Sequence, residues 1–283
     1  MNRLTREERI RILHLLCEGN GIRAVTRLAG TSKNTVAKLL VDAGQALDMY
    51  QDRVLRGLTC QRVQLDEIWS FACAERSNSN DTSPKNPSDV WTWVAIDADT
   101  KLVPTWFVGD RSSDSARQFL GDLGTRVSER MHLTSDGPGS YLKAVDHIFG
   151  EDIGHAVLDK HYGRPGQPTP ESPERYPGLA AYGGAKREEM IGSLDPALIR
   201  TSYVERHTTT SRTSTRRLMR LTNAFSKKVE SYCYAIGMHF AYYNFVRIHE
   251  ALRTTPAMAA GVTDRHFEIG DLITVLENWE RSN

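Results

Sequence analysis

The chain has 283 residues, 40% of them apolar and 25% charged, enough to bury a sizeable core and one smaller accessory unit. Its 36 basic and 35 acidic residues leave a formal net charge of +1, which excludes a simple polybasic tail and confines any nucleic-acid surface to a local stripe. The four cysteines (Cys17, Cys60, Cys73 and Cys233) form no CxxC pair, so a zinc ribbon is excluded and reduced thiols of a cytoplasmic protein are expected. The N-terminus lacks the apolar run and cleavage site of a signal peptide, and no stretch of about 18 uncharged apolar residues offers a membrane span.

Residues 1–46 predict three helices. In "TREERIRILHLLCEG", Thr5 and Glu8 form a capping box ahead of a stripe of Ile10, Ile12, Leu13, Leu15 and Leu16. "IRAVTRLAG" gives a short helix closed by Gly30, and "TSKNTVAKLLVDAG" a third helix capped by Thr31 or Ser32. Two helices joined by a Gly-containing turn suggest a helix-turn-helix domain whose second helix offers Lys33, Asn34 and Lys38 to DNA while Val36, Leu39 and Leu40 pack inward.

Residues 47–59 are expected to form a connecting helix or linker. The core unit, residues 60–253, starts with "RVQLDEIWSFA", of strand composition, then a polar turn-rich loop at 78–89. "VWTWVAIDA" and "LVPTWFVG" predict two strands joined by the hairpin "DADTK". A helix over "SSDSARQFLGDLGTRVSE", a strand over "MHLTSDG", a helix over "SYLKAVDHIFG" and a last strand over "IGHAVLDKH" complete the order β-β-β-α-β-α-β. This is the order of a ribonuclease H-like α/β core, a mixed sheet with flanking helices. A dinucleotide fold would need early parallel βαβ units and a glycine-rich first turn, and neither occurs. Residues 162–199, rich in Pro and Gly, read as an insertion; 200–253 return to helical character, with Tyr232, Ile236, Phe240 and Tyr243 on one apolar face. Residues 254–283 read as a polar, peripheral tail.

Adjacent acids stand inside the first strand. Side chains alternate along a strand, so only one of Asp66 and Glu67 can face a given site, and the apolar neighbours Leu65 and Ile68 do not decide which. Burying an ionised carboxylate is costly, and a metal ion offsets that cost best where several converge. A second acid, Asp136, ends a strand in "LTSDGPG"; with the first and fourth strands adjacent it would meet Asp66. The alternative is a turn cap. A third, Glu205 in "YVERH", opens a basic run holding Arg206, Arg212, Arg216 and Arg217, beside His207. It reads as a salt-bridge partner or as a last metal ligand next to a phosphate-binding stripe.

"LDEIWSF", "LTSDG", "YVERH" and the basic "RLMRLTNAFSKKVE" in that order resemble the catalytic domain of bacterial transposases of the insertion-sequence-one family, DDE enzymes with a ribonuclease H-like fold. The resemblance covers residues 60 to about 250. It implies the catalytic metal ligands Asp66, Asp136 and Glu205, with Glu67 supporting the strand or rim. It implies two Mg²⁺ ions, or Mn²⁺ in their place, and a DNA transposase that cuts element ends and joins their 3′-hydroxyls to target DNA. Its partners would be double-stranded DNA and further copies of the chain assembled on it, at the nucleoid of the cytoplasm. Two departures stand out: no zinc ribbon precedes the helix-turn-helix, and Thr208 stands where the family commonly has Asn. The rival readings are a ribonuclease H-like nuclease that does not join ends, and a catalytically silent helix-turn-helix DNA-binding protein.

Overall fold

The computed structural model describes residues 4–71, 89–128, 131–136, 141–150, 153–162, 182–191, 199–215, 218 and 228–283. Helix α1 (Arg6–Cys17) begins at the Thr5–Glu8 capping box and α2 (Ile22–Ala29) ends at Gly30 in the left-handed region, both as its sequence dictates. Helix α3 (Lys33–Val54), capped by Ser32, runs on through most of the segment expected as a connecting helix or linker, which is thus helical up to Val54. The reason is its apolar stripe, which continues through Ala43, Ala46 and Leu47 and is buried throughout.

Strands β1 (Arg62–Phe71), β2 (Asp89–Asp97) and β3 (Trp106–Gly109) form the antiparallel meander. The third is shorter than its composition suggests, because Pro104 has no N–H to give to a ladder. Helix α4 (Ser113–Arg126), strand β4 (His132–Asp136), helix α5 (Tyr141–Phe149) and strand β5 (Gly154–Tyr162) follow in the expected order. Within the supposed insertion lies a further strand, β6 (Tyr182–Ile191), antiparallel to β5; its register is broken by two irregularities. The sheet order is β3-β2-β1-β4-β5-β6, with β1, β4 and β5 parallel. A three-strand antiparallel meander whose first strand pairs in parallel with the fourth is the ribonuclease H-like arrangement.

Helices α6 (Ser202–Ser214) and α7 (Val229–Ala241) cover one face of this sheet. Tyr232, Ile236, Phe240 and Tyr243 pack there with Ile68, Val94, Ile96 and Val204, so their helical spacing does mark a core face. The Tyr232 hydroxyl sits between Ser70 Oγ (2.8 Å) and Thr92 Oγ1 (2.7 Å). The opposite face packs Val63, Leu65, Trp93 and Ala95 on Phe119, Leu120 and Tyr141 of α4 and α5. Beyond α7, a π-helical turn (Tyr242–Val246) and the short α8 (Pro256–Ala259) lead to α9 (Ile269–Ser282). The expected peripheral tail is therefore part of the core: Ile269, Leu272, Ile273 and Leu276 are buried, and Arg9 of α1 pairs with Glu280 at 2.9 Å. The polar average of the segment hid a one-sided helix. Among the described residues no helix is long and apolar enough to cross a membrane.

Helix α3 crosses α7 at Gly44, where an added Cβ would lie 2.4 Å from the Tyr234 carbonyl oxygen. Gly44→Ala should therefore lower stability by roughly 1–3 kcal/mol despite alanine's better helix propensity. Gly121→Ala on α4, where a Cβ meets nothing within 4 Å, should raise it by about 0.5–1 kcal/mol. Urea unfolding of the two variants checks the pair; equal effects would mean that the crossing is not close-packed.

Candidate active site

The pleat of β1 settles which acid faces which way. Gln64, Asp66, Ile68 and Ser70 point to the α6–α7 side, and Val63, Leu65 and Glu67 to the α4–α5 side. Glu67 is almost fully buried there and accepts a 2.6 Å bond from Arg111 Nε, whose guanidinium lies over the Trp91 ring. Burial raises the pKa of Glu67 and the arginine opposes the rise. Glu67 thus ties β1 to the loop before α4, on the face away from the other acids.

Asp136 ends β4. The parallel pairing runs from Arg62↔His132 to Leu65↔Ser135, so the next step along both strands places Asp66 beside Asp136 on the same face. Adjacent strands lie about 4.8 Å apart, within reach for two carboxylates to share a cation. The separation of 70 residues in sequence is thereby the offset of the strand register.

Helix α6 brings the third acid. Its N-cap, Thr201, makes no side-chain bond to the helix backbone. Instead Gln64 Oε1 accepts the N–H groups of Tyr203 and Val204, each at 3.0 Å, so a side chain of β1 caps the helix from outside. One turn on, the Thr208 hydroxyl donates to Asp66 Oδ2 at 2.6 Å, while Asp66 Oδ1 accepts the Glu67 N–H at 2.8 Å. Glu205 lies between these two ties, and its Oε1 accepts the Thr201 hydroxyl. Glu205 therefore sits on the stretch of helix fixed by these two ties, with one carboxylate oxygen engaged by its own first turn. Among the described residues no three His, Cys, Asp or Glu side chains stand close enough together to hold one metal ion. The donor types suit a hard divalent cation. By strand register Asp66 and Asp136 fit as a pair, and Glu205 lies on the helix whose start and second turn are tied to the same face of β1.

The described residues hold part of the basic stripe. Arg206 is exposed and Arg212 partly buried on α6, whereas Arg216 and Arg217 lie outside the described residues. His207, expected at the DNA surface, is a core residue: its ring stacks on Phe240 at 5.7 Å and meets Tyr243 edge-on at 4.6 Å. In α6 the inward stripe is Val204, His207, Thr208 and Ser211, and His207 takes its place in that spacing. Burial holds its pKa well below the usual histidine value. His249 also packs edge-on against Tyr243, at 4.7 Å. On α3, Lys33 and Asn34 are exposed and Lys38 pairs with Asp42 one turn below. Gln64 and Thr201 were not singled out by sequence, and Thr208 was noted only as a departure from the family's Asn. The available signal was a polar residue two places before Asp66, hence on its face of the strand, and a hydroxyl three places after Glu205.

No protein-family model matches the chain, and no curated protein matches it. Among solved structures it is similar to the Mos1 strand transfer complex, at 13% identity over 99% of this chain and 78% of that one, with a TM-score of 0.35. It is also similar to a pre-cleavage Mos1 transpososome (12% identity, 84% of this chain and 77% of that one, TM-score 0.28) and to the Mos1 mariner paired end complex with Mn (11%, 52% and 59%, TM-score 0.21). Scores this low do not establish a shared fold, which rests on strand order and register.

Two outcomes follow from this geometry. Gln64→Leu leaves two helix N–H groups without their acceptor and should cost roughly 1–3 kcal/mol in urea unfolding; an unchanged midpoint would mean that α6 is capped otherwise. Burial lowers the pKa of His155, His239 and His249 to about 4. The unfolded chain then takes up these protons first, so their stabilising effect is complete above about pH 6.5 and is lost as pH falls toward 4. His239→Asn should remove about one proton from the stability slope between pH 6.5 and 5, measured by unfolding across that range. An identical slope would show that His239 titrates alike in both states.

Proposed function

We propose that the chain is a DNA transposase of the DDE type, cutting DNA at element ends and joining the freed 3′-hydroxyl to target DNA. The observation that carries the reading is the register that sets Asp66 beside Asp136 on a ribonuclease H-like sheet, with Glu205 brought to the same edge by α6. Asp66, Asp136 and Glu205 would hold Mg²⁺ or Mn²⁺. Bound there, divalent ions supply activation of the attacking oxygen and charge stabilisation at the phosphate.

The chain's own residues have three tasks. Gln64 fixes the start of α6, the helix that carries Glu205, against the strand that carries Asp66. The hydroxyls of Thr208 and Thr201 engage Asp66 and Glu205 in the DNA-free state, which orients one carboxylate and turns the other aside. A rotamer change at Glu205, with no movement of the helix, exchanges the Thr201 hydroxyl for the site. Arg206 and Arg212, with Arg216 and Arg217 further on, supply phosphate contacts that carry affinity and little sequence information. Residues 1–46 recognise element ends through Lys33 and Asn34 at the exposed start of α3, and several copies of the chain assemble on DNA.

Asp66→Asn, Asp136→Asn and Glu205→Gln should each abolish Mg²⁺-dependent cleavage, by 100-fold or more on the order expected for loss of a metal ligand, while DNA affinity persists. Cleavage by any of them at the unaltered rate removes that residue from the site. A pre-cleaved end supplied to the protein tests joining separately: cutting without strand transfer would favour the non-joining nuclease. Lys33→Ala with Asn34→Ala should reduce the preference for element ends over random DNA, whereas Arg206→Ala should weaken both alike.

A further inference from the structure

The first turn of α6 carries an aromatic ring that the reading above leaves unused. Tyr203 is 37% exposed, an unusual position for a large ring in a helix whose next residue, Val204, is fully buried. It is held in place on both sides. Its N–H donates to Gln64 Oε1 at 3.0 Å, and the ammonium of Lys101 lies 3.1 Å from the centre of its ring. Lys101 sits in the β2–β3 turn with φ of 61°, a strained setting for a residue with a side chain, and its Nζ also donates to the Ala98 carbonyl. One face of the phenol is therefore occupied by a fixed positive charge and the ring is kept flat against the turn. Exposed Arg206 stands three residues on, one helical turn along the same side. Arg62, nearby at the start of β1, is already paired with Asp99 and adds no charge.

We infer that Tyr203, backed by Lys101 and flanked by Arg206, is a stacking platform for an unpaired base of a DNA strand whose backbone runs toward Asp66. An aromatic face with adjacent cations is the chemistry that holds a single strand: the π-face accepts any base, and the cations take the phosphates. The ring lies two residues before Glu205, and its backbone is tied to the strand residue two before Asp66. A base seated there would fix the strand at one end of the carboxylate edge and splay it from its complement. A protein partner would meet the same ring with apolar contacts and would not need the two cations. The inference uses the proposed function only for the direction of the strand; the platform itself predicts binding with no metal and no cleavage.

The test is fluorescence anisotropy of the full chain with a labelled 20-nucleotide single strand and its duplex, in EDTA. Tyr203→Ala should weaken single-strand binding roughly 5- to 100-fold and duplex binding far less. Tyr203→Trp should restore the affinity, and its indole emission should be quenched as the strand is added. Arg206→Gln should flatten the salt dependence of single-strand binding by about 0.7 in log–log slope, one phosphate's share. Tyr203→Ala that binds single strands like the unaltered chain, or indole emission that does not respond to DNA, overturns the platform. Single strands bound through Tyr203 by a chain that never cleaves would retain the platform and discard the transposase reading. Cleavage with Tyr203→Ala binding normally would do the reverse.

Discussion

Gln64 is the residue on which the arrangement of the acids depends. A helix start leaves N–H groups without partners, and α6 begins at Thr201, whose hydroxyl is spent on Glu205 and does not cap the backbone. The two N–H groups at Tyr203 and Val204 are satisfied by one side-chain oxygen from β1. This makes the helix position a property of the strand. Because Gln64 and Asp66 share a face, the same two-residue repeat that aims Gln64 at the helix start aims Asp66 at Thr208 one turn later. Val204, between them, drops into the apolar cluster with Ile68 and Tyr232 and drives the docking that the hydrogen bonds orient.

The sheet separates its two acidic neighbours by chemistry as well as by direction. Glu67 is buried beside Tyr141 on the α4–α5 face and pairs with the exposed guanidinium of Arg111, which lies over Trp91 and braces the loop entering α4. Asp66 stays on the edge that β4 and α6 share. A pair with one exposed partner contributes little net stability, but removing Arg111 would strand the buried carboxylate, so it fixes geometry more than it adds energy. Beneath α7 a second helix layer, α3 with α1 and α9, packs through Gly44, and its apolar cluster runs on through Leu55 and Leu58 to the far face of the sheet. The N-terminal helices are thus joined to the core through α3 and α9.

Much of this was legible in the sequence because it follows from short-range rules. The Thr5–Glu8 box, the Gly30 stop, the cap at Thr31 or Ser32 and the strand-ending Asp136 are local signals, and each element lies where they put it. The pairing of β1 with β4 was accessible from element order. What sequence left open needed three dimensions: the choice between Asp66 and Glu67 requires knowing which helix covers which face. His207 looked like a polar neighbour of Glu205, yet its spacing with Val204 and Ser211 puts it in the core. Strand β6 was hidden by the glycines and prolines around it, and α9 by a polar average that conceals one apolar side. Gln64 carried no motif at all; its role is visible only once α6 lies over the strand.

The central claim is that Asp66, Asp136 and Glu205 form one divalent-cation site when DNA is bound. Iron-directed backbone cleavage tests it most directly: the chain bound to an element end is exposed to Fe²⁺ and peroxide, and the cut positions are mapped by mass spectrometry. Cuts clustered near residues 66, 136 and 205, suppressed by excess Mg²⁺, are the predicted result. Cuts at 66 and 136 without 205, or at none of the three, would contradict it.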